Sequence, residues 1–332
     1  MNPGDSQHVL VTGGSGFIGS HLVNHLLDLG HRVDVVDDLS TGRLSNLEDS
    51  LASHPERLTF VHSDLSDWLS GPGSDSRFDC IYHLAAAVGV KLVVDDPIST
   101  IETNIMQTSA ILAHVREQGT PLFIASTSEV YGKGEAVPYH EECDITFGPT
   151  SRSRWSYACS KAIDEYLGLA HARRDGTPIV IARFFNTVGP RQVGAYGMVL
   201  PSFVDAALSG APLQVYGTGE QSRCFCDVRD IVPMLPRMLA EPRCHGKVFN
   251  LGNDQSITIN QLANLVRTTL ESRSELMSVP YEDAYAPGFE DLAVRVPDLS
   301  RIREIFDFVP SYTLEQTIHD LAEIAGARSD CS

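Results

Sequence analysis

No apolar run in the 332-residue chain reaches the roughly 18 residues of a membrane-spanning helix, so no membrane partner is expected. Basic residues are scarce as well: 25 Lys and Arg stand against 43 Asp and Glu, a net charge of −18. That balance argues against nucleic acid and leaves any anionic ligand to be held by local arginines. The opening "MNPGDSQHVL" lacks the basic-then-apolar pattern of a secretion signal. Seven cysteines, odd in number and scattered, make no disulfide framework and read as reduced thiols of a cytoplasmic protein. Cys224 and Cys226 alternate in "RCFCDV", but no second pair stands at metal-ligand spacing. No metal is expected there, and packing is the plainer role. Internal repeats and low-complexity tracts are absent too.

What remains is an ordinary globular balance, 42% hydrophobic and 20% charged, long enough for one large domain or two unequal ones. Over the first 190 residues, short apolar runs alternate with helical stretches. Strands are predicted at "HVLVT" (8–12), "HRVDVVD" (31–37), "LTFVH" (58–62), "CIYHLA" (80–85), "PLFIAS" (121–126) and "PIVIARF" (178–184). Helices are predicted over 16–29, 97–118 and 153–174. The alternation predicts an α/β fold, a Rossmann-like doubly wound parallel sheet, in residues 1–190. Residues 191–332 are more mixed and proline-punctuated, which predicts a smaller α+β substrate lobe that returns a few segments to the main sheet. Residues 71–76 read as a surface loop and 327–332 as a frayed tail.

"VTGGSGFIGSH" comes after the first strand and opens the first helix. Gly13, Gly16 and Gly19 permit a tight turn and let backbone amides approach a pyrophosphate at a helix N-terminus. About 20 residues later the second strand ends at Asp37 and Asp38, as the dinucleotide fingerprint requires. A carboxylate there accepts ribose hydroxyls and repels a 2′-phosphate, so NAD is expected over NADP. Arg43 stands near enough to serve a phosphate instead. Further on, "RWSYACSK" sets Tyr157 and Lys161 four apart, on one helix face. A phenol near pKa 10 is a poor base at neutral pH. A neighbouring ammonium and a positive nicotinamide ring would favour its phenolate.

These segments, with "VVDDLSTG", "HLAA", the asparagine of "IETN", "STSEVYG", "RFFNTVGPRQ", "VYGTGEQSR", "DVRDI", "FNLGN" and "RVPDLSR", run nearly end to end. Together they resemble the extended short-chain dehydrogenase/reductases of the nucleotide-sugar epimerase/dehydratase family. The resemblance implies NAD contacts at Gly13, Gly16, Phe17, Ile18, Gly19, Asp37, Asp38, Asp64 with Leu65, Leu84, Ala85, Ala86, Asn104, Tyr157 and Lys161. It implies that Thr127 holds the reacting hydroxyl beside Tyr157. Asn186 would anchor a UDP-sugar's diphosphate, Val215 and Tyr216 would embrace the base, and Arg223 and Arg295 would meet phosphates or sugar.

Family members share oxidation at C4 of the sugar, giving a 4-keto compound, and differ in the fate of that compound. A 4,6-dehydratase has Asp-Glu where this chain has Ser128-Glu129, so dehydration ranks third. Simple 4-epimerases carry a small or hydroxyl residue at the Glu129 position. Thr127-x-Glu129 with Arg295 resembles UDP-glucuronate decarboxylases, which form UDP-xylose; that reading ranks first. The catalytic set it implies is Thr127, Glu129, Tyr157, Lys161 and Arg295. "HLAAAVGVK" (83–91) lacks the Ser/Pro-rich loop of many decarboxylases and keeps a UDP-sugar 4-epimerase as the alternative. Lys91 there binds an anion or is merely solvated. Glu129 equally serves as a carboxylate that only orients Arg295. A non-catalytic NAD-binding regulator is the remaining class, disfavoured because Thr127, Tyr157 and Lys161 are all present. Helices 97–118 and 153–174 would pair with their copies in a homodimer, as "IETNIMQTSAILAHV" has the apolar face for it.

Overall fold

The computed structural model describes residues 6–87, 96–134, 136–194, 198–280, 292 and 294–329. Seven strands form one sheet: β1 (His8–Thr12), β2 (Arg32–Asp37), β3 (Leu58–His62), β4 (Cys80–His83), β5 (Leu122–Thr127), β6 (Ile179–Phe184) and β7 (Lys247–Leu251). Their order is β7-β6-β5-β4-β1-β2-β3, and every pairing is parallel. The order reverses between β1 and β4, which opens a crevice at the carboxyl ends of those strands. This is the Rossmann-like sheet expected from the alternation. β7 belongs to the segment beyond residue 190 and returns to extend the sheet past β6.

The strands alternate between two buried faces. Val9, Val11, Val33 and Val35 pack with Leu22, Val23 and Leu26 of helix α1 (Phe17–Asp28). Leu10, Ile81, Ile124 and Ile181 face the other way, onto Ile111, Leu112 and Val115 of helix α2 (Pro97–Gln118). Burial on both faces explains why these strands read as continuous apolar runs. Helix α3 (Arg154–Asp175) packs beside α2 on that second face. Both helices end on a glycine in the left-handed conformation, Gly119 and Gly176.

A third core, with Leu200, Phe203, Val204, Leu213, Val215, Leu262, Val266 and Ile318, lies beyond residue 190. Its small sheets pair Leu213–Tyr216 with Leu276–Val279, and Ser222–Cys224 with both Ser256–Thr258 and Val294–Arg295.

Predicted element ends move by one or two residues. The fourth strand stops at His83 instead of 85, because Leu84 and Ala85 turn their amides onto Thr12. The final helix, Leu314–Ser329, takes in residues 327–329 of the tail expected to fray, and 330–332 lie outside the described residues. Cys224 and Cys226 are both buried and free, on two separate short strands. Among the described residues no cluster of metal ligands occurs, and no helix is long and apolar enough to cross a membrane.

Candidate active site

The crevice begins at the glycine turn. Gly13 has φ 69°, a left-handed conformation, and a Cβ there would lie 2.7 Å from Ala85 N and 2.8 Å from Ala85 Cα. A Cβ on Gly19 would overlap the Gly13 carbonyl oxygen. Helix α1 then starts at Gly16 with no side chain capping its first amides. Uncapped amides behind a glycine cradle, at the switch point of the sheet, suit a pyrophosphate. Phe17, Ile18 and Leu84 pack their side chains on the first core, while Ala85 and Ala86 continue the half-buried exit of β4.

The acidic residues at this end are already tied down. Asp37 is buried and accepts from Ser15 N at 2.9 Å and Leu39 N at 2.8 Å. Burial raises its carboxyl pKa, against the pull of those two amides. Asp38 is exposed and accepts from Ser40 N and Oγ. Arg43 is exposed, with its amide on Ser15 O. Asp64 caps the helix Leu65–Ser70 through Ser66 N at 2.7 Å, and its other oxygen accepts from Gln107 at 2.8 Å. Leu65 is buried in the second core. Asn104 is buried, accepting from Ala87 N at 2.8 Å and donating to Ser160 Oγ at 3.1 Å. It braces the loop after β4 against α3.

At the reacting end, β5 finishes at Thr127 and passes into a tight turn, Ser128–Tyr131. Glu129 N donates to Thr127 Oγ1 at 3.2 Å, and the Tyr157 hydroxyl shares a hydrogen bond with the same threonine. Glu129 Oε1 lies 2.6 Å from Arg295 Nη2, and Oε2 lies 3.4 Å from Arg154 Nη2. Arg295 and Arg223 sit opposite each other on paired parallel strands, so both guanidiniums serve one region. Burial alone would push the Glu129 carboxyl up, but Arg295, Arg154 and Arg223 together hold it below the usual range.

Tyr157 departs from expectation. Burial raises its phenol well above the ordinary value, Glu129 and Asp164 add to the rise, and the Thr127 bond opposes it. Lys161 does not act on the phenol alone, because its Nζ lies 2.8 Å from Asp164 Oδ2. The ammonium expected to favour the phenolate thus has a carboxylate at contact distance.

Of the residues expected to meet the substrate, Asn186 follows β6, and Val215 and Tyr216 lie on the Leu213–Tyr216 strand. Asn186, at φ 31°, donates to Cys224 O at 2.9 Å and links the end of β6 to the Ser222–Cys224 strand. Val215 is buried in the third core, and the half-buried Tyr216 bonds Gln214 through its hydroxyl. Lys91 and residues 88–90 of the "HLAAAVGVK" stretch lie outside the described residues. Sequence reasoning passed over Arg154, although it stands one helical turn before Tyr157 on the same face. It also passed over Asp164, at the same spacing after Lys161, and over His83. For Arg154 and Asp164 the three-residue spacing was the available signal; for His83 none of its partners is local.

Comparison with known proteins bears on this geometry. Residues 9–252 match the model of the NAD dependent epimerase/dehydratase family. A UDP-N-acetyl-alpha-D-glucosaminuronate decarboxylase of Bacillus cytotoxicus is 38% identical over 312 residues, covering 94% of this chain and 95% of its own. UDP-glucuronic acid decarboxylase 1 of Xenopus tropicalis is 34% identical, over 95% of this chain and 72% of its own. The solved UDP-glucose 4-epimerase of Thermotoga maritima, with UDP-glucose, superposes with a TM-score of 0.85 at 27% identity, covering 98% and 100% of the two chains. With its seven-stranded parallel sheet, glycine turn and match over most of its length, the chain belongs to the NAD-dependent epimerase/dehydratase family.

Proposed function

We propose that, within this family of nucleotide-sugar enzymes, the chain is a decarboxylase of UDP-glucuronate that forms UDP-xylose through a 4-keto sugar. The observation that carries the reading is Arg154, Arg223 and Arg295 gathered on Glu129, beside Thr127 and Tyr157. Three guanidiniums that converge on one carboxylate make a place suited to carboxylates. A uronate carboxylate, two carbons from the reacting C4 hydroxyl, is such a group. The names of the Bacillus and Xenopus relatives point the same way.

NAD, once bound, supplies the oxidation at C4 and its later reversal. The amides at Gly13, Gly16 and Gly19 would hold its pyrophosphate, Asp37 a ribose, and Tyr157 with Lys161 the nicotinamide side. Tyr157 takes the C4 hydroxyl proton while Thr127 steadies that oxygen. The C4 ketone makes the sugar a β-keto acid. The C5–C6 electron pair moves toward the ketone, carbon dioxide leaves, and the enolate is protonated at C5. Reduction at C4, with Tyr157 returning its proton, completes the pentose. Glu129 stays ionised at neutral pH, since its neighbours hold its pKa low. Its task is then to hold Arg295 and order a water at C5, not to deliver its own proton.

The lobe beyond residue 190 would bind the uridine and diphosphate through Val215, Tyr216, Asn186 and Arg223. A cytoplasmic homodimer would bury Ile98 and Met106 of α2 and Ile163 and Tyr166 of α3, all large apolar residues left exposed in the single chain. A second reading, 4-epimerisation, is favoured by the near-complete superposition on the Thermotoga epimerase. Incubation with UDP-glucuronate, UDP-N-acetylglucosaminuronate and UDP-glucose in heavy water, with mass spectrometry of the products, separates the two. A decarboxylase yields a pentose or acetamido-pentose with one solvent deuterium at C5. A product of unchanged mass without carbon-bound deuterium would establish the epimerase instead.

A further inference from the structure

Lys161 sits beside a row of buried polar side chains that takes no part in the decarboxylation steps. Asp164, whose side chain is wholly buried, lies 2.8 Å from Lys161 Nζ. The Thr108 hydroxyl of α2 draws the Asp164 carboxyl down, against the rise caused by burial. His83 Nε2 is 3.2 Å from Thr108 Oγ1, and His83 Nδ1 is 2.8 Å from Thr12 Oγ1. Ala85 N donates to Thr12 Oγ1 at 3.2 Å. Both hydroxyls can donate or accept, so the two ring nitrogens find a partner in either neutral tautomer. His83 is neutral because burial lowers its pKa to about 3.

We propose that Asp164 is a positioning residue, the counter-ion of Lys161, and that it limits how much of the ammonium's charge reaches Tyr157 while anchoring Lys161 to the turn at Gly13 and Ala85. The inference rests on Tyr157 and Lys161 forming the acid/base pair. An ammonium alone beside a phenol favours the phenolate; an ammonium with a carboxylate at contact distance is a dipole whose effect falls off faster. The other charged groups around the pair have ion partners of their own. Glu165 is held by Arg183 at 2.7 Å and by Ser126, and Glu129 by Arg295 and Arg154. Glu129 raises the phenol too; Asp164 is the carboxylate that acts at Lys161, and together they keep Tyr157 in its protonated form until the positive nicotinamide ring is in place.

The test uses holoenzyme saturated with NAD and reads the ultraviolet tyrosinate band against pH, with Tyr157→Phe as the blank. Asp164→Asn keeps the shape and removes the charge, and its tyrosinate inflection should fall by about one pH unit. The acid limb of kcat should move down with it. Thr108→Val, which removes the hydroxyl that draws the Asp164 carboxyl down, should shift both in the same direction by less. Wild-type inflections in both variants would overturn the proposal. If Asp164→Asn does not fold, Thr108→Val decides alone, and an unshifted band in it overturns the proposal. Turnover that survives in Tyr157→Phe would instead refute the acid/base reading, while the absorbance shift would still report on Asp164.

Discussion

At the dinucleotide end, Asp37 and Asp64 accept mainly from backbone amides of nearby turns: Ser15 and Leu39 for one, Ser66 and Asp67 for the other. At the reacting end, Glu129 is held by side chains from a separate helix and from a strand near the C-terminus. The first arrangement is fixed by chain geometry and presents itself whole once the turn forms. The second depends on long side chains meeting from three segments, and guanidiniums can exchange one carboxylate for another. A cradle of amides suits a cofactor that stays in place; a cluster of guanidiniums suits a substrate that arrives, loses a carboxylate and leaves.

The contrast is tested most severely at Tyr157, which touches neither cradle nor cluster alone. Tyr157→Phe should cut turnover by about 10² or more while NAD affinity, read by calorimetry, stays close to wild type. Loss of NAD binding in that variant would mean the two ends are not separable. Next come the arginines. Arg295, at 2.6 Å from Glu129, is held more closely than Arg154 at 3.4 Å. Arg295→Ala should lower kcat/KM by roughly 10- to 100-fold and Arg154→Ala by less, in steady-state assays on the uronate. Equal losses would show that the cluster acts as one body.

At the other end, NADP should bind about tenfold or more weakly than NAD, because its 2′-phosphate would face Asp37. Asp37→Ser should narrow the gap, and equal affinities in the wild type would give the phosphate to Arg43. The smallest effect is on stability. The folded pKa of His83, about 3, lies below the ordinary 6.5, so the unfolded chain takes up that proton first. The contribution of His83 is whole above about pH 6.5 and declines as pH falls toward 3, by at most about 1.4 kcal/mol per unit. Urea melts at pH 7, 5.5 and 4.5 should show a shallower acid loss in His83→Gln than in the parent.

The same contrast explains what could be read from the sequence. The glycine turn and Asp37 lie within one stretch of chain, and their geometry arises from a strand meeting a helix. Tyr157 and Lys161 are legible for the same reason, as one helix face. Glu129 drew notice through its place in "STSEVYG", and its link to Arg295 came from the family resemblance, since no window of sequence spans both residues. Its contact with Arg154 arises by tertiary packing and was not foreseen. Asp64 and Asn104 illustrate the opposite case: the motifs expect them at the cofactor, and what burial adds is a helix cap and a loop brace that no motif announces. The compensation of Lys161 by Asp164 also escaped, because a charged residue on a helix reads as solvated until its burial is known.

The return of β7 to the sheet has a consequence for dissection of the protein. A fragment ending at residue 190 would keep the glycine turn, Tyr157 and Lys161, yet would expose one whole side of β6. Ile179, Val180, Ile181 and Ala182 would then form a bare strand with unpaired amides and carbonyls, the kind of edge that recruits other chains. The cofactor-binding half is therefore not an autonomous cassette. A soluble minimal version would need Lys247–Leu251 grafted after β6, or charges placed along that edge, before it could be cut free from the rest of the chain.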